Sequence, residues 1–239
     1  MLTKSQQVYR TTNKIDDLDA RNDFGSYRRV LLGDNFKSAG IALHNDLEPL
    51  RKVQSIRKYL KIKENARILD AGCGLGFTTD AIAASFPRSS VLGIDISIDA
   101  IEFASKRFTT ASFLARPIDP ESDPIGLFDL IFCFEFYPFT RNRNVHYQSQ
   151  MIRYLAQNLT PSGQLVISQT WREVDGLPFI YQQVVKQCDE LNFTSRKVPH
   201  PKLPSRIPRG LVLIAAWMGQ VATQRELVKN IVIVSNKTN

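Results

Sequence analysis

The stretch Ile68-Leu69-Asp70-Ala71-Gly72-Cys73-Gly74-Leu75-Gly76 limits what this chain can fold into more than any other. Arg67 to Ala71 has the apolar content of a buried parallel strand, and Phe77 to Phe86 has helical spacing until Pro87 forbids continuation. Three glycines on alternate positions let the backbone turn tightly and approach a ligand, since no Cβ intervenes. The helix N-terminus beyond them offers N–H groups to a carboxylate or phosphate. A strand, a glycine turn and a helix around a cofactor are predicted.

The residues around the glycines narrow the cofactor. A dinucleotide fingerprint, G-x-G-x-x-G/A, places a small residue at 77 so that helix and strand pack closely. This chain has Phe77 there, and its third glycine comes one place early. Asp70 is wrong for a site that must receive a pyrophosphate and suits a positively charged group. No Gly-Lys-Ser/Thr follows, which excludes a P-loop. The stretch Asp70-Ala71-Gly72-Cys73-Gly74-Leu75-Gly76 instead resembles the first motif of the class I S-adenosylmethionine (SAM) dependent methyltransferases, an acidic residue, any residue, then G-x-G-x-G. The resemblance implies a Rossmann-like α/β fold: a seven-stranded, mostly parallel sheet with an antiparallel last strand, helices on both faces and an N-terminal helical lid. It also implies that Asp70, Gly72, Cys73 and Gly74 bind the cofactor.

Ser90 to Asp95 reads as a second strand ending in an acid. In an open α/β sheet the ligand lies beyond the carboxyl ends of the strands, where Asp95 can accept both ribose hydroxyls. Dinucleotide enzymes share that device, so it discriminates only together with Asp70 and the glycine spacing. Ser97 or Asp99 is the better N-cap for the next helix, Ile98 to Phe108. A third strand is expected from Ala111 to Ala115. Similar methyltransferases commonly place an acid just after this strand for the adenine amino group. Here Pro117 stands in that place, with Asp119 two positions later. Ile96 and Ile118 are candidates to sandwich the ring, with an ordinary core role as the alternative.

Phe128 to Glu135 is a near-continuous apolar run, the mark of a central strand covered on both faces. It is similar to the family's fourth-strand motif, which implies that Phe134 faces the methionine part of the cofactor. Many small-molecule members continue with Leu-Glu-His. This chain has Tyr137-Pro138-Phe139, so that histidine is absent. A general base is needed chiefly for a hydroxyl acceptor. Of the three histidines, His146 follows the fourth strand on the ligand side, whereas His44 precedes the first domain helix and His200 lies in a proline-rich stretch. His146 is therefore the candidate base, with Tyr137 and Glu135 as alternatives and an ordinary surface position as the plainer reading.

The rest of the chain fits one α/β domain. Residues 1–44 read as a lid segment carrying Tyr9, Phe24, Tyr27 and Phe36, and residues 45–239 as the methyltransferase domain. Leu47, Leu50, Val53, Ile56, Tyr59 and Leu60 mark an amphipathic helix, with Arg51, Lys52, Arg57 and Lys58 assigned to a solvated basic face. Leu159 to Gly163 is similar to the family's turn into a fifth strand, Gln164 to Gln169, after which Trp171 and Arg172 meet the ligand side. A helix near 177–191, a strand near 193–198, a basic proline-rich loop, an inserted apolar helix at about 207–220 and a last strand at 231–235 complete the pattern.

Charge bears on the acceptor. The formal net charge is +8, and no acid falls between Glu190 and Glu226, where Arg196, Lys197, Lys202, Arg206, Arg209 and Arg225 lie. An anionic substrate, a membrane surface or RNA could each use this segment, as could plain solvation. The function implied is SAM-dependent methyl transfer to a small-molecule acceptor, an anionic one among the options. A SAM-binding regulatory or scaffold protein and an RNA methyltransferase are the alternatives. The resemblance implies no metal. Cys73, Cys133 and Cys188 have no metal-like spacing and, with no secretory pattern and no apolar run of about 20 residues, fit reduced thiols in a cytoplasmic protein.

Overall fold

The computed structural model describes residues 24–35, 47–140, 142, 144–168, 186–201 and 228–236. In chain order the elements are α1 (Phe24–Leu31), α2 (Leu47–Arg57), β1 (Arg67–Ala71), α3 (Phe77–Ser85), β2 (Ser90–Asp95), α4 (Ile98–Arg107), β3 (Ser112–Ala115), β4 (Phe128–Phe134), α5 (Tyr137–Thr140), α6 (Val145–Gln157), β5 (Leu159–Ser168), β6 (Phe193–Pro201) and β7 (Val228–Asn236). The strands form one sheet in the order β3-β2-β1-β4-β5-β7-β6. Neighbours from β3 to β5 are parallel, and β7 runs antiparallel to both β5 and β6. The expected seven-stranded sheet with an antiparallel last strand is the one observed.

Strand order reverses between β1 and β4, so the carboxyl ends of β1, β2 and β4 border the crevice in which such sheets hold ligands. The alternating faces of these strands fill two separate cores. Leu69, Ile131, Cys133, Leu165 and Ile167 pack with Met151, Ile152 and Leu155 of α6. Ile68, Leu130, Phe132, Phe134 and Val166 pack on the other face with Val53 and Ile56 of α2 and with Ile82 and Phe86 beside α3. Burial on both faces explains why β4 is buried at every position and reads as one apolar run. A third cluster joins Val30 of α1 to Leu75, Phe77 and Ala100. This places α1 against α4 beside the glycine turn.

Several boundaries differ from the sequence reading for physical reasons. The segment 159–163 is part of β5, whose pairing with β4 shifts register between Phe128 and Leu130, rather than a turn before it. β6 continues through His200 to Pro201, where a proline-rich loop was expected. It forms the outer edge of the sheet, the position in which proline's missing N–H is tolerated. Tyr137-Pro138-Phe139 opens the short helix α5. Lys52 is half-buried beside Val53, and so departs from the solvated face assigned to it. Trp171, Arg172, the basic stretch 202–209 and the inserted helix at about 207–220 lie outside the described residues. Among the described residues no helix is long and apolar enough to cross a membrane.

Candidate active site

The glycine turn after β1 is built by positive φ angles at Gly72 (74°), Gly74 (52°) and Gly76 (83°). A side chain at Gly76 is excluded twice over: the φ is strained for an L residue, and an added Cβ would lie 2.8 Å from Ala104 Cβ and 2.9 Å from the Phe113 ring. Gly76 therefore performs the close packing that a dinucleotide fold assigns to the residue at 77, and Phe77 is free to pack on Phe103 and Phe108. The Phe136 ring packs directly over Gly72, leaving no room for a Cβ there.

The backbone of this turn is committed internally. The N–H groups of Gly72 and Cys73 both donate to Ile94 O (2.8 and 3.0 Å), Gly76 N donates to Cys73 O (3.0 Å), and Gly74 N donates to Asp95 Oδ2 (2.9 Å). These four donors are not directed at a ligand. The N–H groups expected at the helix N-terminus are a separate set, beginning at Phe77 beyond the N-cap Gly76, which has no side-chain cap bond.

Two acids define its charge. Asp70 is buried at the end of β1, where Thr79 Oγ1, from the first turn of α3, donates to its Oδ2 at 2.7 Å. Burial pushes its carboxyl up to about 7, against the Thr79 hydrogen bond and the Lys52 charge, which pull it down, while Asp95 adds a further push upward. Such a carboxyl gains by meeting a cation. Asp95 ends β2, and its Oδ1 accepts from Ser97 N at 2.9 Å. Burial raises its pKa while the backbone N–H groups of Ser97, Gly74 and Ile96 lower it. One backbone bond on each oxygen fixes the carboxylate and leaves further acceptor capacity. Ser97, not Asp95, is the N-cap of α4, accepting from Ala100 N at 3.2 Å.

The remaining predicted residues divide into two groups. Arg116 N donates to Asp95 O at 2.9 Å, which brings the segment carrying Pro117 and Ile118 beside β2. Ile96 and Pro117 are half-buried, whereas Ile118 is buried in the core shared with α6. Asp119 accepts from Glu121 N and so closes its own turn. Cys73 is a buried thiol, and its pKa is pushed well up by burial and by the neighbouring Asp95 and Asp70, which keeps it protonated. Phe134 ends β4 with its ring under Lys52, whose Nζ lies 4.3 Å from the ring centroid. Glu135 follows in left-handed backbone (φ 54°), and Lys52 Nζ is 3.7 Å from its Oε1.

The three catalytic candidates are not equivalent in place. Glu135 leaves the strand end beside Phe134, and Tyr137 is half-buried at the start of α5. His146 is exposed on α6 and lines a surface groove with Ser149, Arg153, Lys186 and Glu190, none of which belongs to the glycine turn or the strand ends. Its side of α6 is the one opposite Gln148, Met151, Ile152 and Leu155, which are buried. Sequence reasoning missed Thr79, Phe136 and Lys52. Thr79 was the most findable, a hydroxyl in the first helical turn after the glycines. Among the described residues no cluster of His, Cys, Asp and Glu could hold a metal ion.

A buried acid near the end of β1 and a carboxylate fixed by backbone N–H groups at the end of β2 thus flank the glycine turn. The chain resembles known proteins. It is 31% identical over 108 residues to the rRNA N(6)-adenosine-methyltransferase metl-5 of Caenorhabditis elegans, covering 42% of this chain and 50% of that one. It is 26% identical over 120 residues to a trans-aconitate 2-methyltransferase of Rhodopseudomonas palustris, covering 50% and 44%. The chain spans about half the length of these curated relatives. The fold matches that of magnesium protoporphyrin IX methyltransferase from Synechocystis, solved with bound SAM, at a TM-score of 0.57, 15% identity and 99% coverage of both chains. The model of a methyltransferase domain matches residues 62–230, well over half of the chain. The chain belongs to that methyltransferase-domain family, with the class I SAM-dependent fold.

Proposed function

We propose that the protein transfers the methyl group of SAM to a small-molecule acceptor and releases S-adenosylhomocysteine. The observation that carries this reading is the junction of Asp70, the glycine turn and Asp95 at the carboxyl ends of β1 and β2, locked by the bond from Gly74 N to Asp95. The cofactor supplies an activated methyl group on a sulfonium. Asp70 receives the cofactor's ammonium, and Asp95 accepts from its ribose hydroxyls. Ile96 and Pro117 flank the adenine, with Ile118 behind them in the core, and the backbone of Gly72, Cys73, Gly74 and Phe134 shapes the floor.

Because the sulfonium is itself a strong electrophile, the residues chiefly align the reactants. When the acceptor is a hydroxyl, Glu135 is the residue placed to receive its proton at the end of β4, with Tyr137 and His146 as the other candidates. A carboxylate or amine acceptor needs positioning alone. The net charge of +8 and the likeness to a trans-aconitate methyltransferase support an anionic acceptor. RNA is the second reading, favoured by the 31% identity to an rRNA methyltransferase. Labelled SAM incubated with a panel of small carboxylic acids and, separately, with ribosomal RNA tests the assignment. Label in a small acid is expected; label in RNA alone would establish the second reading, and no label in either would leave a SAM-binding protein without turnover.

A further inference from the structure

Lys52 is the charged group that the catalytic reading does not use. It projects from α2 toward the sheet with only 14% of its side chain exposed. Its position has a periodic cause: it lies three residues after Pro49 and four before Ile56, both buried, so the helix turns it inward with them. A lysine held there stays charged only if anions and polarisable surfaces compensate for lost hydration. The Phe134 ring supplies a cation–π face at 4.3 Å. Glu135 Oε1 lies at 3.7 Å, near enough for attraction and longer than a charge-assisted hydrogen bond. The field of Lys52 also reaches Asp70. Three strand-end residues of the cofactor cleft, Asp70, Phe134 and Glu135, are thereby linked to one ammonium from outside the sheet.

The amino-acid end of SAM carries two opposite charges, an ammonium and a carboxylate. Asp70 answers only the first. A carboxylate lying beside an acid that is already hard to ionise would be repelled unless a cation stood next to it. Lys52 is the cation whose charge is felt at Asp70.

We propose that Lys52 binds the methionine carboxylate of SAM, exchanging its contact with Glu135 for that carboxylate, so that Asp70 and Lys52 together read the two charges of the cofactor's amino-acid end. This rests on the reading that the cleft binds SAM. The exchange also turns Glu135 from a partner of Lys52 into a carboxylate available to the acceptor, at a strand end where it is exposed.

The test uses decarboxylated SAM, which keeps the ammonium, ribose and adenine and lacks only the carboxylate. Calorimetric titration of the full chain is expected to show tighter binding of SAM than of the decarboxylated form. In Lys52→Met, which keeps an unbranched side chain over Phe134, SAM is expected to weaken by about ten- to a hundredfold while the decarboxylated form changes by less than about twofold. Lys52→Arg should retain the preference. Equal weakening of both ligands in Lys52→Met, or no weakening of either, would overturn the assignment in favour of a merely structural lysine. If Lys52→Met does not fold, Lys52→Gln carries the same comparison, and equal affinities for the two ligands in the unaltered chain overturn the proposal by themselves. An unaltered chain that binds neither ligand overturns the cofactor reading itself, a result distinguishable from the loss of preference alone.

Discussion

Gly74 N donates to Asp95 Oδ2 at 2.9 Å, tying the middle glycine of the turn after β1 to the acid that ends β2. The bond gives Asp95 two tasks, to hold the turn in shape and to present its remaining acceptor capacity to a ligand.

Asp95→Ala is therefore expected to weaken SAM by about 2 kcal/mol or more, because two hydroxyls lose a charged acceptor. It should also lower the melting temperature, since Gly74 N and Ser97 N lose their partner. Calorimetry and thermal melts on the same sample separate the two effects. An unchanged dissociation constant in a folded variant would remove Asp95 from the site.

Asp70 predicts a pH dependence. Its carboxyl is raised by burial to about 7, so around neutrality the site passes from a neutral acid to a carboxylate that can meet the cofactor's ammonium. SAM affinity should rise between pH 6 and pH 8, by up to about tenfold if only the ionised form binds. Stability of the free protein should move the other way. Above the ordinary carboxylate pKa of 3.8 the unfolded chain releases a proton that the native chain retains up to about 7. This group's contribution is fully present below that lower value and is lost as the pH rises through the upper one. Asp70→Asn should flatten both profiles, and an unaltered slope in that variant would assign the dependence to another group.

Glu135→Gln is expected to lower turnover on a hydroxyl acceptor at least about tenfold, a loss of about 1.4 kcal/mol in transition-state stabilisation, with SAM affinity nearly unchanged. Steady-state kinetics beside His146→Ala and Tyr137→Phe locate the base. A comparable loss in His146→Ala with full activity in Glu135→Gln would move it to α6.

Asn158 supports the entry to β4 from below. Its Oδ1 accepts from Ile125 N at 2.7 Å and Gly126 N at 3.1 Å, and its Nδ2 donates to Tyr154 O at 2.7 Å, all within a fully buried residue. Asn158→Ala leaves these groups without their partner and should cost about 3 kcal/mol. Urea unfolding measures it, and a loss under about 1 kcal/mol would mean that water replaces the amide.

The site was legible where chemistry depends on local backbone. Gly72, Gly74 and Gly76 had to be glycines for their φ values, and Asp70 and Asp95 had to stand at strand ends, so spacing alone located them. It failed where a contact joins distant segments. Phe136 over Gly72 bridges β1 and the end of β4, and no periodicity announces it. Lys52 departs from the solvated face because helical phase outweighs charge there: it lies three residues after Pro49 and four before Ile56, both buried. The phase of Met151, Ile152 and Leu155 likewise turns His146 outward, a signal present in the sequence and unused. The edge prolines of β6 read as a loop because edge position is a property of the whole sheet.

The most direct measurement is calorimetric titration of the purified chain with SAM, S-adenosylhomocysteine and NAD. SAM and S-adenosylhomocysteine are predicted to bind one to one at micromolar concentrations and NAD not at all, since the buried acid Asp70 stands at the turn that would have to receive a pyrophosphate. Binding of NAD without binding of SAM would contradict the cofactor assignment and the function built on it.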